Sequence, residues 1–421
     1  MGRSDDTTSG GWIGDRLTPL EIACGLVLPA PRQEADRRAW PAASVGGIAP
    51  ASRSGSDGRE PASHREALER AILPGLRRPP CLVSFSGGLD SAAVLGTATA
   101  LARREGLPLP IPATNVFPTV AEADESSWQE LVIRELGLPD WIRIEHEHEL
   151  DLIGPYAQRV LTRHGLLWPA NVHFHLPLLE AARGGSMLTG VGGDELYIAA
   201  MRQHPAAVLS GAVRPRPRDA LSLGLSFAPQ IVRRSVIARR AAVSIPWLRL
   251  GARRRVTALL VAEAAAEPRQ LGARLAWWNQ VRYLRAAVRS LSLIADDTHT
   301  LMLHPLLAPQ FWKAVRGAAA PVGFATRAEG VGNLFGDLLP QALIERSSKA
   351  NFGQAFWSQR AREFARDWGG TGVPHEWVDT RELAREWASA TPYLPASTLL
   401  QAAWLASAGH RAEQPLEPIL H

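Results

Sequence analysis

Cys81-Leu-Val-Ser-Phe-Ser-Gly-Gly-Leu-Asp-Ser91 is the stretch whose reading decides the fold. Its first five residues are a short, mostly apolar run, the pattern of a strand buried on both faces of a parallel sheet. Two glycines end the run, and residues 91–104 (Ser-Ala-Ala-Val-Leu-Gly-Thr-Ala and onward) then read as a helix. A strand that meets a helix through glycines brings backbone N–H groups close to an anion. The helix N-terminus behind adds its positive dipole end. Ser86 and Ser91 supply hydroxyl donors on either side of Gly87, Gly88 and Leu89. Asp90 has no use as a phosphate ligand, but beside a polyphosphate a carboxylate can hold Mg²⁺. A lone Gly-Gly is more often a plain helix cap; Ser-Gly-Gly-x-Asp-Ser after a strand is a more specific signal.

Working outward, strands and helices alternate. Ile111 to Phe117 is a second strand closed by Pro118, and Glu125 to Leu136 a helix stopped by Gly137. Trp141 to Glu145 is a third strand, Leu152 to Arg163 a helix, and Ser186-Met-Leu-Thr189 a fourth strand that again runs into glycines. Strands separated by helix-length segments predict βαβ units, so the fold class is α/β, a parallel sheet with helices on both faces. After about Ala200 strand signals fade, and residues 232–265, 271–294, 354–367 and 380–408 read as helical. The expected organisation is an irregular arm over 1–62, an α/β core over 63–205 and a helical part over 206–421. The arm is rich in Gly, Ser, Pro and Ala, with one small docked element in the apolar run Leu20 to Leu28.

Thr189-Gly190-Val191-Gly192-Gly193-Asp194-Glu195 closes the fourth strand. In an open parallel sheet the carboxyl ends of the strands face the ligand crevice, so Asp194 can approach Asp90 across it. Two carboxylates converging there would clamp Mg²⁺ on a bound polyphosphate. The first motif resembles the phosphate loop of the N-type ATP pyrophosphatases, enzymes of the adenine-nucleotide α-hydrolase-like fold that cleave ATP between its α- and β-phosphates. The second resembles the signature of the asparagine-synthetase branch, which also holds β-lactam synthetase and the lasso-peptide cyclases. Arg346-Ser-Ser-Lys349-Ala-Asn-Phe352, after Leu339-Pro340, is similar to that family's late lysine segment. There a lysine neutralises charge developing on phosphate, a task suited to a compact ammonium. Only two lysines, Lys313 and Lys349, stand among the 46 basic residues.

The resemblance covers about residues 65 to 360. It implies ATP and Mg²⁺ as cofactors, with Ser86, Gly87, Gly88, Leu89, Asp90, Ser91, Val116, Thr189 and Gly190 binding ATP. Asp90 and Asp194 are the implied metal ligands, and Lys349, Asp194 and Glu195 the implied catalytic residues. Looser matches are Asp124-Glu125 before a helix, Asp296-Asp297, and His304-Pro305.

Four departures bear on the substrate. Residue 2 is Gly, where glutamine-dependent members begin the chain with a cysteine nucleophile, and about 65 residues precede the synthetase core, so glutamine hydrolysis by this polypeptide is not expected. Val191 stands where relatives carry Glu or Tyr. Thr300-Leu-Met-Leu-His304 lacks the acid that relatives place before the P-x-L segment, and Ala308-Pro309 replaces the acid after it. The ATP half is intact and the acceptor half rewritten, with Trp168 to Pro177 expected to line the acceptor pocket. The expected function is ATP-dependent amide formation. A small-molecule or peptide carboxylate is adenylated and passed to an amine or ammonia, in peptide or natural-product tailoring of the lasso-cyclase kind. A separate ammonia- or peptide-supplying partner fits this scheme. The alternative is a catalytically silent homologue that binds nucleotide or peptide as an accessory subunit; its expected mark, an eroded ATP site, is missing.

The two cysteines, Cys24 and Cys81, form no close pair, which argues against a disulfide scaffold or a zinc site and fits a reducing cytoplasm. Neither a secretory layout nor an apolar run of membrane-spanning length is present, so a cytoplasmic protein without a membrane partner is expected. Residues 211–256 hold eleven arginines and one acid, Asp219. Without interleaved aromatics this belt reads as a solvated helix face, and no nucleic-acid partner is expected. Glu145-His-Glu-His-Glu149 and His173-Phe-His175 place histidines two apart, a weak metal signal read as solvated imidazoles.

Overall fold

The computed structural model describes residues 16–29, 61–197, 234–235, 245–268, 270–318, 323–324, 326–346 and 350–413. Five parallel strands form one sheet: β1 (Cys81–Ser84), β2 (Ile111–Val116), β3 (Ile142–Glu145), β4 (Ser186–Leu188) and β5 (Leu301–Leu303). Their spatial order is β3-β2-β1-β4-β5, with every neighbouring pair parallel. The first four strands lie within a residue or two of their expected spans. β5 falls in the stretch expected to hold no strand. It is only three residues long and follows directly on a helix, too short for a period of two to register; its partner β4 specifies it, through the pairs Ser186↔Leu301 and Leu188↔Leu303.

Alternation along the strands separates two cores. Cys81, Val83, Leu188 and Leu303 point to one face, where they meet helices His64–Leu76, Leu89–Glu105 and Pro309–Ala318. Leu82, Ala113, Met187 and Met302 point to the other, against helices Pro155–His164, Leu176–Ala181 and Arg282–Asp296. Helices thus cover both faces. In helix Arg282–Asp296 the residues Leu284, Val288, Leu291 and Ala295 are buried and recur at intervals of three and four, Leu291 and Ala295 facing the second core and Leu284 and Val288 reaching the first.

A third apolar cluster joins Trp247, Leu248, Trp357, Val378, Leu383, Trp387, Leu399 and Leu400 in the helical C-terminal half. Its helices include Leu250–Ala266, Gln359–Asp367, Thr380–Trp387 and Ala396–Glu413. The short element expected in the N-terminal arm is helix Pro19–Cys24, started by a Thr18–Glu21 capping box. It docks in this same cluster through Leu20, Ala23 and Cys24, and the Trp247 indole donates to the Ala23 carbonyl at 2.8 Å. The buried carboxylate of Glu21 also accepts from the Leu28 N–H at 2.8 Å and pairs with Arg282. The rest of the 1–62 arm falls almost entirely outside the described residues, as does most of the 211–256 arginine belt. No helix among the described residues is long and apolar enough to cross a membrane.

Candidate active site at the carboxyl ends of β1 and β4

Chain order runs outward from β1 in both directions, to β2 and β3 on one side and to β4 and β5 on the other. A doubly wound sheet opens its crevice where the order reverses, between the carboxyl ends of such neighbours. The two glycine motifs leave β1 and β4, which are paired in register, so they emerge side by side.

The first loop is tied to the helix it starts. The Ser91 hydroxyl accepts from the Ser86 N–H and donates to the Gly88 carbonyl, at 3.3 and 3.1 Å, and the Ser86 hydroxyl accepts from the Gly88 N–H at 3.3 Å. Gly88 is the N-cap of helix Leu89–Glu105 and has no side chain to cover the first-turn N–H groups, while Asp90 lies in that turn. The end of this 17-residue helix therefore presents donors and a positive dipole end to the crevice, the composition of a phosphate site.

The second loop is pressed against the first. A Cβ on Gly190 would lie 2.8 Å from the Ser91 nitrogen, and one on Gly193 would lie 2.1 Å from the Asp90 carboxyl carbon. A side chain at Gly190 would push the two backbones apart, and one at Gly193 would displace the Asp90 carboxyl, so the contact requires both glycines. Thr189 extends the sheet by donating its N–H to Leu303 at 3.1 Å, and its hydroxyl lies 2.7 Å from Nδ1 of His304.

This contact brings Asp90 and Asp194 within reach of one side chain. Arg327, at the start of helix Arg327–Phe335, donates through Nη2 to Asp90 and through Nη1 to Asp194, the latter at 2.8 Å. Burial opposes the charge on Arg327, but the two carboxylates outweigh it and raise its pKa. Among the described residues no group of three or more His, Cys, Asp or Glu side chains converges as a metal cage. Two carboxylates that one cation can bridge, beside an open helix N-terminus, fit Mg²⁺, which takes one or two protein carboxylates and completes its shell with phosphate oxygens and water.

Glu195 goes elsewhere. Its carboxylate accepts from the Tyr283 hydroxyl at 2.5 Å, and burial raises the pKa of both groups. Glu263 acts on Tyr283 electrostatically and is itself pushed up to about 7 by burial. Lys349 lies outside the described residues, together with Ser347 and Ser348.

Arg346, at the head of the lysine segment, has a place that its sequence did not disclose. It makes a bidentate ion pair with Glu125, both side chains only 6% exposed, and its guanidinium lies 4.9 Å from the Trp128 ring. The same guanidinium donates to the Gly87 carbonyl at 3.3 Å. The looser Asp124-Glu125 match thus divides: Asp124 accepts from the Ser126 N–H at 2.9 Å, while Glu125 is tied to the 86–91 loop through Arg346. Val116 ends β2 at the same edge of the sheet, its carbonyl accepting from the His146 N–H at 2.9 Å. Asp297 is taken up by Arg163 and His164, away from the crevice.

The histidines divide: His148 is exposed as expected and His175 half-buried, while His146 and His173 are buried. His146 lies 3.0 Å from the Asn115 side-chain oxygen, and His173 lies 3.1 Å from the Leu150 carbonyl. Burial lowers His173 and His175 to about 4 and His304 to about 3, His175 adding to the effect on His304. All three are therefore neutral at physiological pH. Nδ1 of His175 is buried and finds no hydrogen-bond partner among the described residues. Two surface cavities, of ≈ 580 and ≈ 380 Å³, are lined by residues of neither motif.

The sequence was compared with known proteins. A family model described as asparagine synthase matches residues 64–308, more than half of the 421 residues. Comparison with curated proteins finds no match. The matched span contains both glycine motifs and β5, and it ends before Arg327 and Arg346.

Proposed function

The chain belongs to the asparagine synthase family, whose members are ATP-dependent ligases, and from that premise we propose that it adenylates a carboxylate and transfers the acyl group to an amine. The observation that carries this reading is the meeting of Asp90 and Asp194 at the crevice between β1 and β4, close enough for one guanidinium to bridge them.

In this mechanism the 86–91 loop and the helix behind it hold the phosphates of ATP, with Val116 towards the adenine. Thr189 and Gly190 wall the opposite side. Asp90 and Asp194 would hold Mg²⁺, which when bound would supply positive charge towards the pyrophosphate oxygens. A substrate carboxylate oxygen bonds to the α-phosphorus as the bond to the bridging oxygen breaks, and that electron pair leaves with pyrophosphate. Lys349 supplies positive charge to the pyrophosphate. An amine then attacks the acyl carbon, loses a proton, and AMP departs.

The acceptor side supports a substrate other than free aspartate. Where relatives carry an acid, β5 and its sequel give Leu301–Leu303 and a buried, neutral His304. Val191 is likewise apolar, and Trp168 to Pro177 brings further aromatic and imidazole groups. We read this neutral wall as suited to a peptide or other natural-product carboxylate, with the amine carried on the substrate or delivered by a partner.

Pyrophosphate release tests the reading, measured with ATP, Mg²⁺ and a panel of aspartate, ammonia, acidic peptides and peptide amines. Release that requires one carboxylate and disappears in Asp90→Ala, Asp194→Ala and Lys349→Ala supports adenylation and names the substrate class. ATP binding without release across the panel would favour an accessory, nucleotide-binding role.

A further inference from the structure

Arg327 uses two different nitrogens on two different carboxylates, and these are the same two carboxylates that the proposed mechanism gives to the metal. A guanidinium seated on both carboxylates places its positive charge where Mg²⁺ would bind, so the two cations compete for the pair and metal entry favours withdrawal of the guanidinium. The backbone of Arg327 is poorly placed to withdraw. It opens helix Arg327–Phe335 directly after Thr326, whose hydroxyl caps the helix by accepting from the Glu329 N–H at 3.0 Å. Motion is left to the long side chain, which is a quarter exposed, and a planar fork released from carboxylates finds an equivalent acceptor in phosphate oxygens.

We propose that Arg327 competes with divalent metal for Asp90 and Asp194, so that the metal enters together with ATP, whose phosphates take over the guanidinium. The proposal rests on the reading of these aspartates as the metal pair. It makes Arg327 a positioning residue that sets the order of assembly: free metal is held off, and metal–nucleotide is admitted as a unit. A purely structural Arg327 would instead pin helix Arg327–Phe335 to the sheet edge, with no bearing on metal affinity.

Mn²⁺ binding followed by electron paramagnetic resonance separates the two. The samples are the full-length protein, Arg327→Ala and Arg327→Gln, with and without an ATP analogue whose α–β bridge cannot be cleaved. Melting curves and circular dichroism show whether each variant is folded, and the glutamine variant keeps the test open if the alanine variant is not. The expected result is Mn²⁺ binding without nucleotide that is tighter by about tenfold or more in both variants. Analogue binding in the absence of metal should weaken by a similar factor. Mn²⁺ affinity without nucleotide that stays within about twofold of the unmodified protein overturns the proposal. If Mn²⁺ fails to bind the unmodified protein even with the analogue, the metal reading itself falls, and this inference with it. Loss of that analogue-dependent Mn²⁺ in Asp194→Asn shows that the metal reading stands, whatever Arg327 does.

Discussion

Gly193 abuts Asp90 so tightly that an added Cβ would stand 2.1 Å from the carboxyl carbon. The contact joins two loops more than a hundred positions apart in the chain, and it sets where Asp90 points. Gly193 begins helix Gly193–Tyr197 and is not among the glycines with positive φ, so its backbone would accept alanine. Gly193→Ala is therefore expected to displace Asp90 while leaving the fold intact. A reacting group misplaced by an ångström costs about a hundredfold, so pyrophosphate release should fall by roughly that factor. A wild-type melting temperature together with this loss is the expected pairing; wild-type turnover would show that Asp90 does not need its present position.

Arg346 and Glu125 form a buried pair that also holds the Gly87 carbonyl. Removing one partner of such a pair strands a charge at a cost of about 3–5 kcal/mol, whereas removing both costs much less. Arg346→Met should lower the urea midpoint sharply, and Arg346→Met combined with Glu125→Leu should recover much of that loss. Activity should stay low in the double variant, because Gly87 has lost its donor. Recovery of activity along with stability would confine Arg346 to the fold.

Acid should weaken the protein well above the carboxylate range. Burial holds the folded pKa of His173 and His175 near 4 and that of His304 near 3, below the ordinary 6.5. Between those values the unfolded chain binds protons that the folded chain refuses, so stability is full above about pH 6.5 and falls as pH drops towards 4. Each unit of such a shift is worth about 1.4 kcal/mol. Melting temperatures over this window should fall steadily, and His173→Gln should flatten the slope by up to one proton. An equal slope in that variant would remove His173 from the account.

Tyr283→Phe takes from Glu195 the hydroxyl that lies 2.5 Å away. Burial already raises the folded pKa of Glu195, so its contribution to stability is present at low pH and lost as pH rises through that value. Without the donor the pKa climbs further. The variant should match the parent near about pH 4 and lose about 1–3 kcal/mol at neutral pH. A deficit that does not change with pH would mean that Glu195 stays ionised in both proteins.

Four strands could be read from the sequence because β1 and β4 are apolar runs stopped by the glycine motifs, β2 is closed by Pro118 and β3 alternates as Ile-Arg-Ile-Glu. β5 could not, because a three-residue strand between a helix and a proline has no signal of its own and is defined by its partner. The aspartates were legible for a related reason: glycines that permit a loop contact also mark it in the sequence. Arg327 was not, and Arg346, though it heads the lysine motif, gave no sign of its partners. Arg327 finds Asp90 across 237 positions and Asp194 across 133, Arg346 finds Glu125 across 221, and in a chain whose basic residues are nearly all arginine no local pattern names such partners. Glu195 was legible as part of a motif, but the motif does not reveal that Tyr283 takes its carboxylate.

Helix Pro19–Cys24 completes a cluster whose other walls include helix Ala396–Glu413. During synthesis the first of these leaves the ribosome long before the second exists. At ordinary elongation rates the interval is on the order of 20–75 s. For that time Leu20, Ala23 and Cys24 have no seat, and the sheet lacks its fifth strand for much of it. The protein therefore cannot finish folding as it is made. Helix Pro19–Cys24 stays without its full seat until helix Ala396–Glu413 arrives to receive it.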